Sequence, residues 1–202
     1  YTYSGAQIGF SAQTGTAATV PIVRSIQTKL DDFASIRDFG AKGDGNTDDT
    51  VAINRALYEL YIRESEQRIR RTLYFPAGNY IVSGIIKVPT FARLVGEGPF
   101  STTITSSDSV GPVATTCDSK QQTGSGVGSN NGVIPQDIII EGMTFSSSTD
   151  IDTFVIDQTE NIHFTNCAFV GPKTTAPSTV GNSKANIKIT SSETYNSNYI
   201  TL

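Results

Sequence analysis

The 202-residue sequence predicts an all-β solenoid whose first coil is covered by a short amphipathic helix. Three observations predict it. The segments DIIIEGMTF (137–145) and NIHFTNCAF (161–169) superpose with Ile138 over Ile162, Ile140 over Phe164, Met143 over Cys167 and Phe145 over Phe169, an offset of 24 residues (162 minus 138). The stretch SIRDFGAKGDGNTDDTVAINRAL (35–57) runs from strand through a glycine-rich turn into an amphipathic helix without a gap. The composition, 37% hydrophobic and 17% charged, is globular but leans towards Ser, Thr, Gly and Asn, a bias that suits strands and turns.

Residues 1 to about 20, YTYSGAQIGFSAQTGTAATV, are rich in Gly, Ala, Ser and Thr and carry no strong period. They read as an extended arm that orders on a partner, and residues 1–34 together form an N-terminal arm and linker. Gly40, Gly43 and Gly45 then stand where a tight turn asks for positive φ. A helix is expected over about 47–64. Thr47 is its N-cap, and Asp48 and Asp49 occupy the first turn, where negative charge suits the helix dipole. Val51, Ile53, Ala56, Leu57 and Leu60 recur with helical period, flanked by Tyr58 and Tyr61, so one face is built to dock. RESEQRIRR (63–71) reads as the solvated helix end and its exit.

Short strands and turns follow. TLYFPAGNYIVSG (72–84) sets Leu73, Phe75, Tyr80 and Val82 around a turn at Pro76, Ala77, Gly78 and Asn79, and IIKVPTFARLVGEGPFSTTI (85–104) repeats the pattern. Residues of about 106–136 are polar, glycine-rich and weakly periodic, and are expected as a loop thrown out between strands. After the paired repeats, NIKIT places Ile187 in the same relation to Ile162, with an offset of 25 residues (187 minus 162). One coil cannot bury its apolar face alone, so stacking creates the core. Leucine-rich repeats share such periods, but their leucine and asparagine ladder is absent. At the end of the sequence Tyr199, Ile200 and Leu202 look like another strand, without an atypical closing coil, and the first residue is Tyr. These features lead us to expect the N-terminal portion of a longer protein, or an end protected by stacking and oligomerisation.

The 35–57 motif resembles the N-terminal signature of the pectate-lyase-like superfamily of right-handed parallel β-helices, and the resemblance covers roughly residues 35–202. Gly96 and Gly98 around Glu97 resemble the LxGEG element that closes an early rung in that family. The lead-in VPIVRSIQTKLDDFASIRDFGA (20–41) resembles more narrowly that of bacteriophage tailspikes and tail fibres. The resemblance implies a right-handed parallel β-helix with an N-terminal capping α-helix, and an arm over residues 1–34 leading towards a virion attachment region. It implies a homotrimer, other phage tail proteins as partners through the arm, and bacterial surface polysaccharide as the substance recognised or depolymerised. The location implied is the virion tail, acting at the bacterial cell surface. A parent protein of this kind is a hydrolase, a lyase or a pure adhesin, and this segment is expected not to be catalytic by itself. The alternative is a secreted cellular polysaccharide hydrolase or lyase with a pectin-lyase-like β-helix.

The carboxylates of GDGNTDD, Asp44, Asp48 and Asp49, invite a calcium or acid-base reading, but turn and cap roles account for these residue types. Asp137, Glu141, Asp150, Asp152, Asp157 and Glu160 are the acidic residues of the regular coils. Glycoside hydrolysis needs two carboxylates roughly 5 to 10 Å apart, and solvated turn positions are expected for each of these. Glu97 is read as a structural carboxylate in a glycine-flanked turn. His163, the single histidine, alternates with Ile162 and Phe164 and is expected to point out of the coil. Cys117 and Cys167 form no disulfide framework, and Cys167 is expected as a small buried thiol.

No phosphate-cradling loop, nucleophile elbow or zinc-ligand spacing occurs. Catalytic residues are therefore unassigned, and no cofactor and no metal are expected. A net charge of -4 argues against nucleic acid as the principal partner. No apolar run is long enough for a membrane span, and no signal peptide is seen at the start.

Overall fold

The computed structural model describes residues 9–12, 22–26, 34–63, 71–107, 111–117, 134–171, 186–190 and 198–201. The chain divides into two compact units, Tyr1–Ala34 and Ser35–Leu202. In the first, strands β1 (Gly9–Ala12) and β2 (Ile22–Ser25) pair antiparallel, with Gly9 opposite Ser25 and Ala12 opposite Ile22. The sequence did not signal this ribbon, because β1 lies in the aperiodic stretch read as an arm.

The second unit is a parallel β-helix with three faces. After β3 (Ala34–Ser35), β4 (Asp44–Asp48) and the helix α1 (Thr50–Tyr61), the strands run β5 (Thr72–Phe75), β6 (Gly78–Val82), β7 (Ile86–Pro89), β8 (Arg93–Gly96) and β9 (Thr102–Ser106). They continue as β10 (Ala114–Cys117), β11 (Gln136–Glu141), β12 (Thr144–Ser147), β13 (Phe154–Asp157), β14 (Glu160–Thr165), β15 (Ala168–Val170), β16 (Ile187–Thr190) and β17 (Asn198–Thr201). From β5 onward every third strand joins the same sheet. The first sheet has the order β17-β14-β11-β8-β5-β3, the second β15-β12-β9-β6-β4 and the third β16-β13-β10-β7. All ladders with a described register in these three sheets are parallel.

Successive coils place like on like. In the first sheet Leu73, Leu94, Ile140 and Phe164 stand in register, and in the second Tyr80, Ile104, Phe145 and Phe169 do. Almost all of these are buried, and Phe145 stacks on Phe169 with ring centroids 5.8 Å apart while meeting Phe154 edge-on at 5.1 Å. Each buried aromatic or aliphatic side chain contributes about 1.5–3 kcal/mol.

The expected column is corrected at its third member. Ile138 lies over Ile162, but Ile200 follows it, whereas Ile187 pairs with Phe154 in the third sheet. An apolar-polar alternation such as NIKIT suits any of the three sheets, so a period near 25 residues does not decide which. The expected loop of about 106–136 is also corrected. Ala114–Cys117 is a rung strand, hidden because its residues Ala, Thr, Thr and Cys show no apolar alternation and are all buried. In the turn expected at 76–79, strand resumes at Gly78.

Among the described residues the first coil has no strand in the third sheet. Helix α1 follows β4 and packs against β7, the free edge of that sheet, so it takes the place of the missing rung. Ile53, Ala56, Leu57, Leu60 and Tyr61 are buried beneath it, but Val51, expected on the docked face, is 78% exposed. Tyr61 donates its hydroxyl to the Arg71 carbonyl at 2.6 Å and accepts from the Arg93 amide at 3.2 Å, and burial pushes its phenol pKa up.

The helix also starts later than expected. Thr47 lies in β4 and Asp49 is the N-cap, yet its carboxylate makes no cap bond. It is turned back to accept the Lys42 and Gly43 amides at 2.8 and 2.9 Å, which ties the glycine turn to the helix start. Asp48 accepts instead from the Thr50 amide at 3.0 Å and from the Ser83 hydroxyl at 2.5 Å. Asp44 accepts from the Thr47 amide at 2.7 Å and the Asn46 amide at 2.9 Å. Each carboxylate of the motif therefore has a local structural partner. Gly40, Gly43 and Gly45 have φ of 98°, 62° and 76°, the left-handed region that the turn demands.

Candidate functional site

Side chains of a strand alternate between the interior and the outer face. On the first sheet, Leu94, Ile140 and Phe164 fill the interior, so Arg93, Ile139, His163 and Thr201 form an outward row, in register across β8, β11, β14 and β17. His163 points outward, as its alternation with Ile162 and Phe164 predicts, and it is half-buried.

The starts of β11 and β14 add polar groups. Phe91, Asp137 and Asn161 each sit two residues before a member of that row and all three have positive φ, 63°, 56° and 60°. Asn and Asp adopt this conformation more readily than most residues. The Asn161 amide donates to Asp137 Oδ1 at 2.5 Å, across one coil step of 24 residues. A carboxylate only accepts, so this bond orients the amide and leaves Asn161 Oδ1 as the acceptor facing His163 Nε2 at 2.7 Å. An amide oxygen only accepts, so the His163 ring donates through Nε2 in this contact.

Asp137, Asn161 and His163 line a cleft of about 710 Å³, together with Gln136, Glu160, Ile200 and Thr201. Gln136 and Glu160 are partners in register at the entry of β11 and β14, and both are exposed. The strand spacing of about 4.8 Å sets the scale on which these groups from neighbouring coils stand side by side. The cleft offers carboxylate, amide, imidazole and hydroxyl groups beside one aliphatic side chain, a set suited to binding a polyhydroxylated ligand.

The remaining carboxylates are distributed elsewhere. Glu141 lies further along the same outer face, in register with Thr165 and Val95. Glu97 accepts a hydrogen bond from the Tyr74 hydroxyl, which raises the Tyr74 pKa. Asp150 is exposed, in accord with a turn. Asp152 and Asp157 correct the expectation of solvated turns: they are 9% and 7% exposed. Asp152 faces Lys188 Nζ at 3.3 Å, and Asp157 accepts from the Thr190 hydroxyl at 2.6 Å. Both belong to the third-sheet side of the coil, where a buried carboxylate is held by such partners.

Neither cysteine is in a disulfide: Cys117 is buried, and Cys167 is only half-buried, less than expected, with its pKa raised by desolvation. Among the described residues no group of three or more His, Cys, Asp and Glu side chains gathers in a way that could hold a metal ion. No described helix is long and apolar enough to cross a membrane.

Sequence reasoning singled out Asp137, Glu160 and His163 separately, and the structure brings them to one cleft. It passed over Asn161, Gln136 and Thr201. The signal for Asn161 was present, because Asp137 and Asn161 open the two repeat copies at the same position and are residue types that accept positive φ.

A family model described as rhamnogalacturonase A/epimerase, pectate lyase-like, matches residues 33–201. Among curated proteins, a probable glucan endo-1,3-beta-glucosidase of Arthroderma benhamiae is 39% identical over 69 residues, 32% of this chain and 8% of that protein. The preneck appendage protein of Bacillus phage PZA is 36% identical over 77 residues, 38% of this chain and 8% of that protein. Among solved structures, ORF18 of Geobacillus virus E2 is similar with a TM-score of 0.58 and 26% identity, covering 70% of this chain and 26% of that one. Tailspike protein 3 of bacteriophage CBA120 has a TM-score of 0.60 and 23% identity, covering 83% of this chain and 25% of that one. The chain thus matches less than a tenth of the length of these curated relatives.

Proposed function

This chain belongs to the rhamnogalacturonase A/epimerase, pectate lyase-like family, and from that premise we propose that it is the proximal part of a phage tailspike or tail appendage. In this reading residues 1–34 lead towards the virion and contact other tail proteins. The capped coils begin a β-helix that is presented, as a homotrimer, to polysaccharide on the bacterial surface. The observation that carries the reading is the likeness to a viral chain in which fold and sequence agree together over most of this protein. The appendage protein of a second phage supports it over a shorter stretch.

A second reading, a secreted carbohydrate-active enzyme, is favoured by one observation, the likeness to a fungal glucanase. Light scattering and a sugar-release assay separate the two. A tail protein is expected to scatter as three copies and to release no oligosaccharide by itself from β-1,3-glucan, capsule or lipopolysaccharide. A monomer that liberates oligosaccharide from β-1,3-glucan overturns the tail reading in favour of the second.

A further inference from the structure

We propose that Phe100, in the turn between β8 and β9, is a stacking platform for one face of a pyranose ring, with the Glu97 carboxylate at the start of the same turn accepting sugar hydroxyls. This role rests on the polysaccharide recognition proposed above and names the class of sugar, a pyranose with an unbroken C–H face as in β-glucosides and β-galactosides.

Phe100 is set apart by its backbone. Its φ is 67°, a conformation that strains a bulky residue, and it is 76% exposed, whereas Phe75, Phe145 and Phe154 fill the interior. Burial of the ring therefore does not offset the strain. Hydrogen bonds to the next coil hold the residue in place: its amide donates to Thr144 Oγ1 at 2.8 Å, and the Gly98 amide donates to the Gly142 carbonyl at 2.9 Å. The Ser101 and Thr102 amides close the turn on the Gly98 carbonyl at 3.1 and 3.0 Å. A strained residue kept by its surroundings and turned to solvent points to a contact made there. A side chain on a backbone fixed in advance also loses less freedom when a ligand lands on it.

The surroundings of the ring select the occupant. An exposed aromatic side chain offers on the order of 150 Å² of surface, whereas a stable protein contact buries about 800 Å² on each partner. Glu97 and Ser101, on either side of Phe100 in the turn, are exposed polar residues. A small apolar platform with polar borders matches a sugar ring, whose C–H face is apolar and whose edge carries hydroxyls. The electron-rich face of the phenyl ring attracts those C–H groups. Glu97 is steadied by the Tyr74 hydroxyl, which donates to it from β5, and a carboxylate has acceptor sites for several donors.

The 202-residue chain is titrated with the methyl β-glycosides of glucose, galactose and N-acetylglucosamine, and with glucitol, an open-chain polyol that has hydroxyls but no ring face. Saturation-transfer NMR is expected to mark the axial ring protons of at least one glycoside, with millimolar affinity, and to leave glucitol unmarked. Phe100→Tyr is expected to keep that signal, and Phe100→Gly to weaken binding by roughly tenfold or more. Because glycine adopts positive φ without strain, Phe100→Gly is also expected to unfold in urea at or above the midpoint of the unaltered protein. Silence with all three glycosides, an equal signal from glucitol, or unchanged binding in Phe100→Gly overturns the assignment. So does a clear fall in the Phe100→Gly midpoint, which would make the ring part of the fold, or loss of self-association in that variant without any sugar response, which would make it a subunit contact. Light scattering separates this from the tail reading: trimers that ignore every glycoside defeat the Phe100 assignment alone, and a monomer with Phe100-dependent binding defeats the tail reading alone.

Discussion

The side chain of Asn54 forms two hydrogen bonds to the backbone on either side of Ile86: its Nδ2 donates to the Ile85 carbonyl at 2.9 Å, and its Oδ1 accepts from the Lys87 amide at 3.0 Å. A neighbouring strand would bond to this same edge. The helix thus covers the first coil with apolar residues and also supplies one amide group that copies the hydrogen bonding of the rung it replaces.

Replacing Asn54 with Leu, which is nearly the same size, withdraws both bonds from a part-buried strand edge. We expect a loss of about 1–3 kcal/mol in urea unfolding. Asn54→Asp retains the acceptor for Lys87 and is expected to lose less. If Asn54→Leu unfolds within about 0.5 kcal/mol of the unaltered protein, the helix caps by apolar burial alone.

Legibility in the sequence follows how local each determinant is. The glycine turn and the docked face of α1 are written in consecutive residues, so they were readable. Ile138 over Ile162 was readable because no insertion separates the two copies. Ile187 was misassigned because an alternating IxI pattern fits all three sheets and only the backbone path decides between them. Asn54 gave no sign at all: a polar residue in a helix looks the same whether it faces water or caps an edge. The cleft was legible as separate residues and not as a place, since Asp137, His163 and Thr201 come from three coils whose spacing is set by insertions of unequal length.

The corrected register makes a graded prediction. Ile162 is fully buried between Ile138 and Ile200, so Ile162→Ala is expected to cost about 2–5 kcal/mol. Ile187 is only half-buried on the described edge of the third sheet, so Ile187→Ala is expected to cost about 1–2 kcal/mol. Thermal or urea unfolding of the two variants checks this. Equal costs would return Ile187 to the interior column from which the structure removes it.

Two glycines with positive φ separate backbone strain from crowding. Gly40, at φ 98°, has nothing within 4 Å of where a Cβ would stand, so Gly40→Ala is expected to cost only the conformational penalty of about 1–2 kcal/mol. Gly142, at φ 65°, would set its Cβ 2.8 Å from the Gly96 carbonyl oxygen of the preceding coil. Gly142→Ala therefore adds overpacking of about 1–3 kcal/mol to the same penalty. Paired unfolding measurements test it, and similar losses in the two variants would mean that the coils can move apart at no cost.

Acid should loosen the cap before it dissolves the coils. The hydroxyl of Ser83, and then that of Thr50, hold the Asp48 carboxyl down at about 2 from its ordinary 3.8. The backbone amides of Thr47 and Asn46 bring Asp44 to a similar value. For a carboxyl whose folded pKa is depressed, the stabilisation is complete above the unfolded pKa and is lost as pH falls through the folded one. The affected window is therefore from about pH 4 down to about pH 2. Asp48 links the helix start to Ser83 at the end of β6, whereas Asp44 bonds only within its own turn, so the cap depends more on Asp48. Urea midpoints measured at intervals from neutral pH down through this window should fall less steeply in Asp48→Asn than in the unaltered protein, with Asp44→Asn between them. Identical slopes in all three proteins would place the acid sensitivity elsewhere and would separate it from the helix cap.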